Sequence, residues 1–322
     1  MSLLGIGNSA TKYIPLLGEY ENKYGLLFDG TDDYALGGIS GQEPENGTIK
    51  PINAANGFTV AAWCKLDIDG SADSYNDTGT YTIVSAIANG GWSLSYFNKF
   101  FYFHIKLVDG DGNFAVNQPK SDRAMMRNDG DDQRFLHRED GWHFVVGTWD
   151  GARIKNLYVD GGRDVAGSTG GSGSPDYGSM LEDSDSKKTE SAPSGGDYTV
   201  KWDATSSRDK IDLMVGAQGT INAATEVTTA NTNFWEGYIG DIAIWDKALT
   251  DAEITALYNL HTPTDMSKTQ PDNLQGYWKM EEGSGTTLVE STGNVGTDGT
   301  IYGATFATDV PTTDVSGYPN YQ

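Results

Sequence analysis

Residues 142–160 read WHFVVGTWDGARIKNLYVD. Two apolar, β-branched runs, 142–149 and 153–160, flank Asp150-Gly151, a pair that favours the tight turn of a β-hairpin. The same grammar extends in both directions. On the N-terminal side, residues 24–28 are apolar and end in Asp29-Gly30-Thr31-Asp32-Asp33, a turn-rich cluster. Residues 58–66 (FTVAAWCKL) alternate, with Phe58, Val60, Ala62, Cys64 and Leu66 sharing one face. Residues 81–88 are rich in β-branched side chains, and 91–97 with 100–108 form an aromatic hairpin. On the C-terminal side, 211–216 and 238–245 (YIGDIAIW) add two more runs. Many short strands separated by Gly/Asp/Asn turns predict an all-β sandwich or barrel.

One helix interrupts this pattern. Thr250 and Glu253 have capping-box spacing, and Leu249 and Ile254 stand where a hydrophobic staple would close. Ile254, Leu257 and Tyr258 give it one apolar face, and it ends before Pro263. It is expected to plug one edge of the sandwich. Residues from about 162–208 are rich in Gly, Ser and Asp and read as a long insertion between strands. Residues 1–23 carry Leu3, Leu4, Ile6, Tyr13, Ile14, Leu16 and Leu17 without clear periodicity. An arm this apolar is expected to dock on its own domain or on a neighbouring subunit.

Composition excludes several classes. Among 322 residues, 22 basic against 45 acidic side chains give a net charge of −23. A surface this acidic repels phosphate, so nucleic acid is not an expected partner. No run approaches the ~18 apolar residues of a spanning helix. The 8 Trp, 17 Tyr and 11 Phe are too much aromatic mass to leave in water. The single cysteine, Cys64, excludes an intramolecular disulfide framework. The first residues lack the basic and apolar regions of a secretory signal, so the expected place of synthesis is a cytoplasm.

Five pieces stand in an order that resembles the laminin-G-like, jelly-roll branch of the concanavalin A-like lectin/glucanase superfamily. They are Leu27-Phe28-Asp29-Gly30-Thr31-Asp32-Asp33-Tyr34, residues 58–63, Gly141–Val146 with Tyr158-Val159-Asp160-Gly161, residues 237–245, and Leu249–Ile254. The resemblance implies a two-sheet antiparallel jelly-roll sandwich with a concave face. On this reading residues 24–322 form the sandwich behind the 1–23 arm. Residues 274–305 look like the segment that usually opens such a domain, yet here they follow the helix. Residues 274–322 are therefore expected to complete the sandwich or to edge it.

The chemistry-bearing residues are sparse. Glycoside hydrolysis needs two carboxylates across one bond, and the glucanases of this superfamily present them at alternating positions of one strand. No such motif occurs here; Glu236 and Asp241 have odd spacing. No nucleophile elbow, Walker sequence or paired-histidine metal motif is present, and Cys64 reads as a small buried side chain. No catalytic residue is assigned. The resemblance implies one calcium near the sandwich rim, and the candidate ligands are Asp241, Glu290 and Asn294, with Glu290 standing where the family loop has Asp. The alternative reading of these acidic loops is a solvated turn. Sugar binding needs an exposed aromatic platform with fixed polar groups. Its candidates are Trp92, Tyr96 and Tyr102, for which the alternative is the core.

Three functions remain. The first is a non-enzymatic surface module, a virion or phage decoration or fibre protein displaying a lectin-like domain, homo-oligomeric or particle-bound through the arm. The second is a free, calcium-dependent lectin at an extracellular surface. The third, disfavoured by the missing carboxylate pair, is a glycan hydrolase.

Overall fold

A computed structural model describes residues 20, 22–37, 57–67, 79–87, 91–97, 100–105, 107–108, 114–115, 126–128, 133–135, 142–161, 186–191, 199–200, 213–221, 228–259, 263–294 and 298–311. Two antiparallel sheets face each other. In chain order the strands are β1 (Gly25–Asp29), β2 (Tyr34–Leu36), β3 (Phe58–Leu66), β4 (Thr80–Ile87), β5 (Gly91–Phe97), β6 (Phe100–Ile105), β7 (His143–Trp149) and β8 (Ile154–Val159). They continue as β9 (Ser186–Ser191), β10 (Met214–Val215), β11 (Glu236–Trp245), β12 (Leu274–Trp278), β13 (Thr287–Leu288), β14 (Gly299–Tyr302) and β15 (Thr305–Ala307). The first sheet runs β9-β8-β7-β3-β11-β1-β15, with β12 also paired to β11. The second runs β13-β14-β2-β10-β4-β5-β6. This is the expected all-β sandwich.

Alternation builds the core. Phe58, Val60, Ala62, Cys64 and Leu66 of β3 meet Trp92, Leu94, Phe101, Phe103 and Ile105 of the second sheet between the layers. The intervening Ala61 and Trp63 point the other way, into a second cluster with Phe144, Val146, Tyr158 and Trp245. Helix α1 (Asp251–Tyr258) lies over that cluster. Its capping box is formed as expected: Thr250 Oγ1 accepts from the Glu253 amide at 3.4 Å, and Glu253 accepts from the Thr250 amide at 2.8 Å. The buried Ile254, Leu257 and Tyr258 cover the outer face of the first sheet, with Tyr258 6.1 Å from the Trp63 ring. The helix therefore roofs a sheet face instead of plugging an edge. The reason is that β3, β7, β8 and β11 are apolar on both faces and need cover on both.

The quoted hairpin is locked by its own turn. Asp150 Oδ1 accepts from the amides of Ala152, Arg153 and Ile154 at 2.7–2.8 Å, and Gly151 takes φ +84°. At the far end of β8, Asp160 is fully buried. Its carboxylate accepts from the Phe144 amide at 2.9 Å and pairs with His143 Nδ1 at 2.7 Å. Within the 162–208 insertion, Ser186–Ser191 is the described β9, an added edge strand on β8. Residues 274–307 contribute to both sheets: β12 to the first, β13 and β14 to the second, and β15 to the free side of β1. Residues 1–19 of the arm lie outside the described residues.

Replacing Asp160 by Ala removes the acceptor that two buried donors share. A loss of ~2–4 kcal/mol is expected in denaturant unfolding. An unchanged midpoint would show that the His143–Asp160 pair does not hold β7 to β8.

Candidate functional site

The β1–β2 turn is built by its own carboxylates. Asp29 Oδ1 accepts from the amides of Thr31 at 2.8 Å and Asp32 at 3.3 Å, and Asp33 Oδ2 accepts from the Asp29 amide at 3.0 Å. Gly30 takes φ +76°, and a Cβ there would lie 2.9 Å from Glu236. These bonds fold the turn so that one carboxylate oxygen from each of Asp29, Asp32 and Asp33 lies within 4.8 Å of the others. Asp29 and Asp32 are exposed and Asp33 is buried. Burial pushes the Asp33 carboxyl above its ordinary range, and the Asp29 charge adds to this. A cation would relieve that repulsion. The donor set is all oxygen, which suits a hard ion such as calcium over zinc.

An aromatic pair adjoins the turn. Tyr34 follows Asp33 and pairs across the sheet with Tyr302. Their rings stack at 4.6 Å and 14°, and Tyr302 is 42% exposed. Gly303, next to Tyr302, has φ +80°, and a Cβ there would sit 1.8 Å from Asp33 Oδ1. The missing side chain is what lets the carboxylate and the tyrosine pair share one rim of the sandwich.

The residues singled out from the sequence fall elsewhere. Trp92 and Tyr96 belong to the inter-sheet core, because their positions on β5 alternate with Ser93, Ser95 and Phe97. Tyr102 points to the other face. It stacks on His104 at 5.2 Å and lies 6.2 Å from Phe97, which is 38% exposed. Thus the structure separates Tyr102 from Trp92 and Tyr96. Thr82, Ser85, Ser93 and Ser95 lie on the non-core face of the same sheet but are closed off from solvent. None of the seven strands of this sheet contains Asp or Glu.

Asp241, Glu290 and Asn294 each have hydrogen-bond partners of their own. Asp241 is fully buried and accepts from the Tyr20 hydroxyl at 2.5 Å and the Tyr277 hydroxyl at 2.8 Å. Glu290 accepts from three amides, those of Tyr277 at 2.9 Å, Thr292 at 2.8 Å and Gly293 at 2.7 Å. Asn294 Nδ2 donates to the Leu274 carbonyl at 3.2 Å. The Glu290 carboxylate is thus turned to N–H donors that fix its own loop. Asp241 and Glu236 stay apart on β11: a bulge between Ile239 and Ile242 tucks Asp241 toward Tyr277, while Glu236 lies against Gly30. Sequence reading marked residues 29–33 as a turn. The signal it did not use is three carboxylates within five residues around a glycine.

Comparison with known proteins supports the resemblance over part of the chain. Residues 29–182 match the family model of the concanavalin A-like lectin/glucanases superfamily. No curated protein matches. Among solved structures, a Bacteroides ovatus protein assigned to carbohydrate binding is 14% identical with a TM-score of 0.48. The alignment covers 90% of this chain and 61% of that one. The receptor binding domain of botulinum neurotoxin D is 15% identical, TM-score 0.40, with 75% and 44% covered. The heptameric SAP-like pentraxin of Limulus polyphemus is 14% identical, TM-score 0.35, with 74% and 82% covered. The chain therefore spans less than two thirds of the first two. No helix among the described residues is long and apolar enough to cross a membrane.

Terbium luminescence tests this turn through its neighbouring tyrosines. Tyrosine-sensitised terbium emission is expected from the wild-type protein, displaced by excess calcium and lost in Asp29→Asn/Asp33→Asn. Emission that survives the double substitution, or none from the wild type, would place cation binding elsewhere.

Proposed function

We propose that the chain is a non-enzymatic carbohydrate-recognition module whose binding rim is the Asp29–Asp32–Asp33 turn with the Tyr34–Tyr302 stack. The observation that carries this reading is the meeting of an exposed aromatic face with three convergent carboxylates. A sugar ring presents C–H groups to one face and hydroxyls at its edge. Tyr302 offers the apolar surface, and a calcium ion held by the carboxylates would take the hydroxyl oxygens. The superfamily match over residues 29–182 includes this turn and supports the reading.

The non-enzymatic part rests on the second sheet. Retaining and inverting hydrolysis both need two carboxylates facing one bond, and its seven strands offer none. The setting we propose is a virion or other extracellular surface, with attachment or self-association through the apolar 1–23 arm. That setting draws on the arm's composition and the net charge of −23. A second binding reading has its own observation: Tyr102, stacked on His104 beside the exposed Phe97, keeps an aromatic platform on the far edge of the same sheet.

A glycan array, run with calcium and with chelator, tests both. Calcium-dependent retention of a defined sugar is expected, weakened about tenfold, or ~1.4 kcal/mol, in Tyr302→Ala. Binding lost only in Tyr102→Ala would move the site to the far edge. Binding unchanged in Tyr302→Ala and Asp33→Asn, or release of reducing ends, would overturn the proposal.

A further inference from the structure

The strands of the second sheet are free of Asp, Glu, Lys and Arg, in a chain where those residues make up 21%. Its non-core face is closed off at Ser85 and Ser93, but it is open where β2, β14 and β13 lie side by side. Alternation puts Ala35, Ile301 and Leu288 into the inter-sheet core and turns Tyr34, Leu36, Thr300, Tyr302 and Thr287 the other way. Thr287, Thr300 and Tyr302 are exposed, and Tyr34 and Leu36 are half-buried. Register sets them in two rows: Tyr302 opposite Tyr34, and Thr300 between Leu36 and Thr287. Thr300 stands two residues along β14 from Tyr302, ~7 Å at strand spacing, and Thr287 lies ~5 Å further across the sheet. Asp33 adjoins the Gly303 end of the same strand. Carboxylates, aromatic ring and hydroxyls therefore follow one another along β14.

Resting on the carbohydrate reading above, we infer that the ligand of this rim is an uncharged sugar chain of at least two units, one stacked on Tyr302 and the next laid over Leu36 with its hydroxyls on Thr300 and Thr287. A single ring on Tyr302 does not cover both threonines, so a monosaccharide leaves that half of the patch in water. Threonine hydroxyls both donate and accept, which matches the hydroxyls of a neutral sugar. The Tyr302 and Leu36 surfaces take its C–H groups. Acidic sugars fit poorly. A sugar carboxylate or sulfate calls for Lys or Arg, and the strands of the patch supply neither. The groups that flank it are acidic: Asp29, Asp32 and Asp33 beyond Tyr302, and Asp298 and Glu282 beside β13, where they accept the Glu290 and Val289 amides. One calcium ion at the turn brings two charges against three carboxylates, so the rim stays negative with the ion bound and repels an anionic ligand.

The test is an array of glucose, galactose, mannose and N-acetylglucosamine oligomers, one to four units long, each with a sialic-acid-capped counterpart, probed with the full chain in calcium. In the series that is retained, half-saturation is expected to tighten about tenfold from one unit to three, and the acid-capped forms are expected to bind more weakly. Thr287→Val/Thr300→Val keeps the β-branched shape and removes both hydroxyls. It is expected to abolish the gain with length while single-unit binding stays. Thr287→Ser/Thr300→Ser, which returns the hydroxyls, is expected to keep the gain, and this separates lost contacts from a disturbed sheet. Tyr302→Ala is expected to weaken every length. Equal binding of one and three units, a gain that survives the double valine substitution, or a preference for acid-capped forms would overturn the extended, uncharged ligand and leave the rim a sugar site. No retention of any member would overturn the carbohydrate reading with it.

Discussion

Much of this structure hangs on one strand. β11 pairs with β3 along one side, and with both β1 and β12 along the other. Gly25–Asp29 and Leu274–Trp278, far apart in sequence, are therefore both held in one sheet by pairing with Glu236–Trp245. The strand serves three pairings because its two ends face different partners: Gly237–Ile239 meet β1, and Ile242–Trp245 meet β12. Between them a bulge adds one residue. Ile239, Ile242 and Ile244 stay in the inter-sheet core despite their uneven spacing, and Asp241 is placed toward Tyr277 and Tyr20. A buried carboxylate in such a strand is costly unless donors meet it, and two tyrosine hydroxyls from opposite ends of the chain do so.

Both faces of the first sheet are apolar, so the fold has three layers. The inter-sheet core takes one face, and α1, α2 (Met266–Thr269) and the residues around them cover the other. The second sheet follows a different rule. Its core face is aromatic, and its other face alternates with serine, threonine and tyrosine. Among the described residues, exposed aromatic rings of this sheet include Tyr302 toward one side and Phe97 toward the other. The β1–β2 turn adds its carboxylates beside Tyr302.

The fold was legible because it is written in local periodicity. Phe58–Leu66 and Gly91–Phe97 have the bounds that alternation gives, and the Thr250–Glu253 spacing forms the capping box it predicts. The helix's destination was not legible, because an apolar face does not name what it covers. The site was harder still. Trp92, Tyr96 and Tyr102 all look like platform residues, and only register decides that the first two face the core. Glu290 resembles a metal ligand in a family-like loop, yet its oxygens accept Tyr277, Thr292 and Gly293 amides. Odd spacing of Glu236 and Asp241 suggested opposite faces, a rule that a bulge suspends. Such features depend on pairing between distant segments, which local pattern does not encode.

The central functional claim is that cation and ligand chemistry belong to the β1–β2 turn and its tyrosine pair. The cluster's geometry follows from hydrogen bonds within five residues together with the bare Cα of Gly303, which leaves room for Asp33 beside Tyr302. Anomalous diffraction from crystals grown with calcium tests this most directly. A peak among Asp29, Asp32 and Asp33 is the predicted result. A peak among Asp241, Glu290 and Asn294, with nothing at the turn, would contradict the account.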